Sequence, residues 1–160
     1  MNQDAYNEKL SSAKTETLFV FLTLIFLALF AWRWSSVGWN AWAITFLCIF
    51  AFFLFYSINY KTLKIQITPE TLQLTFGIFT WKIAISNIKI CYRDEDTIWR
   101  FGGAGIHFMW IKGKYRAFFN FLEYPRVVVT FKEKKGLVQE VAFTTRQPEQ
   151  VQEFIGRYSS

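Results

Sequence analysis

Charge is what the first third of this sequence lacks. Between Glu16 and Lys61 the only charged residue is Arg33, which excludes a wholly solvated fold for that stretch. Reactive side chains are scarce as well. The 160 residues hold two cysteines, Cys48 and Cys91, and one histidine, His107. Cys48 falls in the apolar region and Cys91 beyond it, and neither has a companion at metal-ligand spacing, so both are expected to be unpaired, inert thiols. A lone histidine excludes a histidine-built metal cluster, and nothing in the sequence singles out a nucleophile for it. His107 is therefore expected to be structural or at the surface.

Apolar length takes the place of charge. Residues 17–32, TLFVFLTLIFLALFAW, carry no charge and reach spanning length once Arg33 and Trp34 are included, because a terminal Arg can snorkel to the headgroups. Residues 39–60, WNAWAITFLCIFAFFLFYSINY, are long enough unaided. The tight connection RWSSVG makes the two spans, 17–34 and 39–59, an antiparallel hairpin. Trp32, Trp34, Trp39 and Trp42 gather at its turn, and Tyr56 and Tyr60 mark the other end, as aromatic belts do at two interfaces. A cleaved signal peptide does not fit, because Asp4, Glu8 and Glu16 precede the run where a basic start belongs. A buried hairpin of a soluble protein would be apolar on one stripe, whereas these segments are apolar all round.

Lys9 and Lys14 precede the first span, Lys61 and Lys64 follow the second, and the connection has only Arg33. The positive-inside bias then puts both termini in the cytoplasm of a protein that crosses the cell (inner or plasma) membrane twice. The layout is a polar segment over 1–16, a membrane region over 17–60 and a domain of about one hundred residues over 61–160, enough for one modest core.

From Lys61 the period becomes two, the period of strands. Leu63, Ile65 and Ile67 alternate with Lys64 and Gln66; Pro69-Glu70 signals a turn; Leu72, Leu74 and Phe76 alternate again. Phe79, Trp81, Ile83 and Ile85 share the next face, followed by Ile88, Ile90 and Tyr92 and the acidic turn 94–96. RVVVTFKE, a Lys134-Lys135-Gly136 turn and LVQEVAFTT form a further hairpin. At the end, Pro148 suits a first helical position, Glu149 suits the N-terminal dipole, and Val151, Phe154 and Ile155 recur at helical spacing, which predicts a helix over 148–157. The expected fold is about seven antiparallel strands in a small barrel or sandwich, closed by that helix.

The opening LKIQITPETLQLTFGIFTWKIAISNIKI and the closing VAFTTRQPEQVQEFI, behind two spans, resemble the bacterial pleckstrin-homology-like proteins. In that family an alternating hairpin punctuated by Gly opens the domain, and a strand running into Pro-Glu and a capping helix ends it. The resemblance covers residues 60 to 157 and rests on pattern. It departs from the commoner form at Arg146-Gln147, where an acidic residue often precedes the Pro. It implies a pleckstrin-homology-like fold and a non-enzymatic module tied to membranes.

The stretch GGAGIHFMWIKGKYRAFF, 102–119, looks chemical and is better read as architecture. Its glycines fit neither phosphate-loop template, and the β-prone run after them predicts a bend or a close backbone approach before a strand. Asp94-Glu95-Asp96 lacks the spacing and glycine of a calcium loop and is expected as a solvated hairpin tip facing basic residues. No catalytic, cofactor-binding or metal-ligating residue is expected, and no cofactor.

The basic residues are more informative. From Lys61 onward fifteen Lys and Arg stand against nine Asp and Glu. No nucleic-acid motif accompanies this surplus in a membrane-tethered domain, so nucleic acid is excluded as a partner. Lys61 and Lys64 follow the second span directly, where anionic headgroups attract a cation by about 1 kcal/mol. Lys112, Lys114 and Arg116 crowd a hairpin turn, and Phe108 and Trp110 lie on a strand apolar on both faces. These seven residues are the expected contacts with the membrane, its anionic lipids, the protein's own spans or a partner.

The function expected is a non-catalytic binding or scaffolding module at the cytoplasmic face, organising a protein or anionic-lipid partner or a homo-oligomer. The alternatives are an accessory subunit of a larger membrane complex and an enzyme with a site assembled around His107 and the acidic turn. Neither span has an ionisable residue at its centre, which argues against ion transport.

Overall fold

The computed structural model describes residues 5–95 and 103–159. Strand β1 (Tyr6–Leu10) precedes two long helices, α1 (Ala13–Val37) and α2 (Ala41–Asn59). Strands β2 (Leu63–Ile67), β3 (Thr71–Phe76), β4 (Phe79–Ala84) and β5 (Ile88–Asp94) follow. Then come β6 (Gly105–Ile111), β7 (Lys114–Asn120), β8 (Arg126–Lys135), β9 (Val138–Thr144) and helix α3 (Pro148–Tyr158).

Both long helices are apolar and long enough to cross a membrane. At 1.5 Å per residue α1 extends roughly 37 Å and α2 roughly 28 Å, against a hydrocarbon thickness of roughly 30 Å. Phe21, Leu24, Trp32, Trp42, Ile44 and Ile58 lie uncovered around them. A narrow seam holds the pair together. Phe19 meets Tyr56 edge-on at 5.3 Å, Phe26 stacks on Phe53 at 5.6 Å, and the Thr23 and Ser57 hydroxyls are 3.1 Å apart. α1 starts four residues ahead of the expected span, at Ala13, because Ser12 caps it by accepting from the Thr15 N–H at 3.0 Å. Asn40 caps α2 in the same way, accepting from Ala43 at 3.1 Å.

The polar N-terminal segment contains a strand that the sequence does not announce. β1 pairs antiparallel with β2, setting Leu10 opposite Leu63 and Glu8 opposite Ile65. Its alternation is hidden because one inward position is Glu8. That carboxylate accepts from the Thr145 hydroxyl at 2.6 Å, the Tyr6 hydroxyl at 2.8 Å and the Arg146 backbone N–H at 2.9 Å. The chain thus leaves the β domain, makes the helical hairpin and returns to the same sheet.

The strands form two sheets, ordered β1-β2-β3-β4 and β5-β8-β9-β7-β6. All pairings are antiparallel except β7 with β9, where Arg116 lies opposite Glu140 and Phe118 opposite Ala142. Eight of the nine described strands lie in 61–160, where about seven are expected, and β1 is added from the N-terminal segment; no ladder joins the two sheets into a barrel among the described residues. The sheets enclose one main core. Leu63, Ile65, Ile67, Leu72, Leu74 and Phe76 face Phe119, Val127, Val129, Val141 and Phe143, and Val151 and Ile155 of α3 close one end. Pro148 begins α3 where the sequence predicts it.

In β5 the expected face is corrected. Ile88 pairs with Phe131 but Ile90 pairs with Thr130, so Lys89 is an extra residue in a bulge. Cys91 therefore packs onto the core, while Ile90 and Tyr92 turn to the other face. Burial raises the Cys91 thiol to about 12.

Candidate functional site

Two neighbouring strands on one sheet edge and one on the other shape the most distinctive feature. β4 ends the first sheet and β6 ends the second, so each has an unpaired edge among the described residues. Between them, beside the last turn of α2, opens a cavity of about 310 Å³ lined by Tyr56, Tyr60, Phe79, Thr80, Trp81, Ile106, Phe108 and Phe119. Seven of these eight side chains are aromatic or aliphatic. Trp81 and Phe108 face each other across the cleft with ring centres 6.4 Å apart. The Trp81 Nε1 is buried without a hydrogen-bond partner.

Glycine lets the strands approach the spans this closely. Gly105, at φ +95, opens β6 against the helices; a Cβ there would stand 3.0 Å from the Tyr56 ring. The Tyr56 hydroxyl donates to the Ile106 carbonyl at 3.4 Å. Gly77, at φ +61, forms the β3–β4 turn under the end of α2, where a Cβ would stand 2.2 Å from the Asn59 carbonyl oxygen. The close approach expected of the glycines of 102–105 is thus made by Gly105; Gly102, Asp96 and Asp4 lie outside the described residues. The turn carries Ile78, 69% exposed, beside the helix end, and Trp110, also 69% exposed, stands further along β6.

On the opposite face of the five-stranded sheet, charge is packed rather than displayed. The Glu140 carboxylate accepts from Arg116 Nη2 at 2.6 Å, Arg116 Nε at 2.9 Å, Lys114 Nζ at 2.7 Å and the Thr130 hydroxyl at 3.0 Å. Asp94 accepts from Arg116 Nη1 at 3.2 Å and from Arg126 Nε at 2.9 Å. The Tyr92 hydroxyl accepts from Arg116 at 3.2 Å. Burial by itself raises the Glu140 pKa, but the hydrogen bonds from Lys114 and Arg116 and the Arg116 charge outweigh it, and the carboxyl titrates below its ordinary range. Both guanidinium groups lie over the Phe118 ring, at 5.8 Å and 5.4 Å, and His107 stacks on that ring at 4.7 Å.

The seven expected contact residues separate in space. Phe108 lines the cleft, and Trp110 follows it, exposed, on the same face of β6. Lys112 occupies the β6–β7 turn at φ 49, followed by Gly113 at φ 82. Lys61 pairs with Glu16 at 3.0 Å beside the helix ends, and Lys64 sits opposite Lys9 on the outer face of the first sheet. Lys114 reaches the buried Glu140. Arg116 is 4% exposed and wholly committed to Glu140, Asp94 and Tyr92, so it leaves the group of surface contacts. Asp94, expected at a solvated tip, instead has a side chain only 5% exposed, held by the two arginines.

Sequence reasoning missed the wall of the cleft contributed by Tyr60, Phe79 and Trp81. One signal was present: GIF makes a turn apolar, where turns between strands are ordinarily polar. Among the described residues no group of three or more His, Cys, Asp or Glu is placed to hold a metal ion. Comparison with protein-family models and with curated proteins finds no match to this chain.

Proposed function

We propose that this protein is a non-catalytic binding or scaffolding module of pleckstrin-homology-like plan, anchored by two spans at the cytoplasmic face of the membrane. The observation that carries the reading is the strip of Ile78, Phe79, Phe108 and Trp110, apolar surface left uncovered that starts at the Gly77 turn beside the end of α2 and runs out along β6. An uncovered apolar patch is surface for association. Lys112 stands in the turn that ends this strip, whereas Lys114 turns to the opposite face and pairs with Glu140, so the apolar side chains carry the reading.

The hairpin-rich β architecture and the terminal helix packed through Val151 and Ile155 support the pleckstrin-homology-like plan. The parallel pairing of β7 with β9 departs from a simple meander. Rigid attachment supports the scaffolding role. β1, the Lys14 N–H bond to the Glu123 carboxylate at 2.8 Å and the Tyr124 hydroxyl bond to the Ser11 carbonyl at 2.7 Å tie the start of α1 to the β domain.

A photoreactive amino acid at position 110 of the full chain in native membranes tests the reading. A discrete adduct that saturates with expression level and disappears in Phe108→Glu supports it. Only diffuse lipid labelling, the same as from position 58 on α2, overturns it.

A further inference from the structure

The strip explains exposed surface, but it does not explain the cavity behind it. An apolar cavity is poor for water, because water there finds too few polar partners, and such spaces accept apolar ligands. At about 310 Å³ this one is at the small end of ligand sites, which begin near roughly 300 Å³, and cannot enclose a whole lipid. Its position narrows the occupant further. Tyr56 and Tyr60, which form one wall, stand at the last turn of α2 and just after it. A helix of that length places its last turn at the boundary between acyl chains and headgroups. The Gly77 turn, against the Asn59 carbonyl, holds Ile78 and Phe79 at the same level.

Resting on the reading of the cleft as a membrane-facing binding surface, we propose that the cavity between β4 and β6 holds one acyl chain of a bilayer phospholipid. The chain leaves the leaflet beside α2, passes Phe79 and Phe108 and lies against Trp81, Ile106 and Phe119. Lipid tails supply this apolar chemistry at the mouth at high local concentration. The Trp81 ring is fixed from behind by the Lys135 ammonium, 5.4 Å from its centre, which itself donates to the Lys82 carbonyl.

The test uses the full chain in nanodiscs of phosphatidylcholine and phosphatidylglycerol, with a trace of phospholipid bearing a diazirine near the end of one acyl chain. After photolysis, adducts mapped by mass spectrometry are expected on residues 79–81 and 106–108 in addition to those on the spans. Phe79→Asp and, on the facing strand, Phe108→Asp should each reduce the cavity adducts at least about fivefold and leave the span adducts unchanged, since an acyl chain passing the mouth would have to strip water from the carboxylate. Labelling confined to α1 and α2, or cavity labelling unaffected by either substitution, overturns the proposal. Cavity adducts without a discrete adduct at position 110 would remove the partner-binding reading alone; a discrete adduct at 110 without cavity adducts would remove the acyl chain alone.

Discussion

Lys114 and Arg116 are two residues apart on one face of one strand, and the sequence treats them alike. Their fates differ because β7 lies between β6 and β9. Lys114 comes near the edge and remains half exposed, while Arg116 stands directly over Glu140 of β9 and is covered. Breaking such a buried pair from one side leaves an uncompensated charge. Glu140→Gln should destabilise the fold by about 3 kcal/mol, the lower end of the range because Arg116 keeps Asp94, and thermal unfolding in detergent measures it. The pH dependence has a definite sign. The Glu140 carboxyl titrates lower folded than unfolded, so its contribution is complete above the unfolded value of about 4.3 and is lost as the pH falls through the depressed folded value. An acid titration of stability should therefore be flatter in Glu140→Gln than in the parent between the unfolded value of about 4.3 and the depressed folded value. Lys112 carries a smaller cost: with Gly113 it forms a turn with both φ values positive, the type I′ pattern that prefers Asn-Gly. Lys112→Asn should raise stability by about 0.5–1 kcal/mol in the same assay.

Among the elements, those with a clean alternation were legible and those with an interrupted one were not. β2 and β3 appear as read, because Leu63, Ile65, Ile67, Leu72, Leu74 and Phe76 all reach the core without a bulge. In β5 one additional residue, Lys89, exchanges the two faces, and no side-chain pattern announces a bulge that is set by pairing with β8. β1 has only five residues and an inward Glu8, whose partners Thr145 and Arg146 are more than 130 positions away, so its inward face looks polar until the chain has folded. The β3–β4 turn gives an element-scale prediction. Gly77→Ala adds a Cβ 2.2 Å from the Asn59 carbonyl oxygen at a φ of +61. It should cost about 1–3 kcal/mol through strain at that position and loosen the turn from α2, measurable as faster amide exchange over 76–80 than in the parent.

At the scale of the whole molecule, β1 and β2 in one sheet hold the residues before α1 and after α2 at the same end of the helical hairpin. On the proposed reading of α1 and α2 as spans, accessibility reporters fused at the two termini should give the same result, the cytoplasmic one by the Lys and Arg bias; opposite results would be incompatible with the β1–β2 pairing. By itself the sequence determined the helical hairpin, the strand-rich domain behind it and the helix beginning at Pro148, because hydrophobic length and period are local properties carried by consecutive residues. Tertiary structure alone decided which apolar strand face stayed uncovered, which basic residues became buried partners of Glu140 and Asp94, and that β4 and β6 stand apart beside α2. Those outcomes depend on pairing between strands distant in sequence. The same opposition of scales governs GGAGIHFMWIKGKYRAFF: its hairpin was local and legible, whereas the cavity that its first strand walls belongs to the assembled fold.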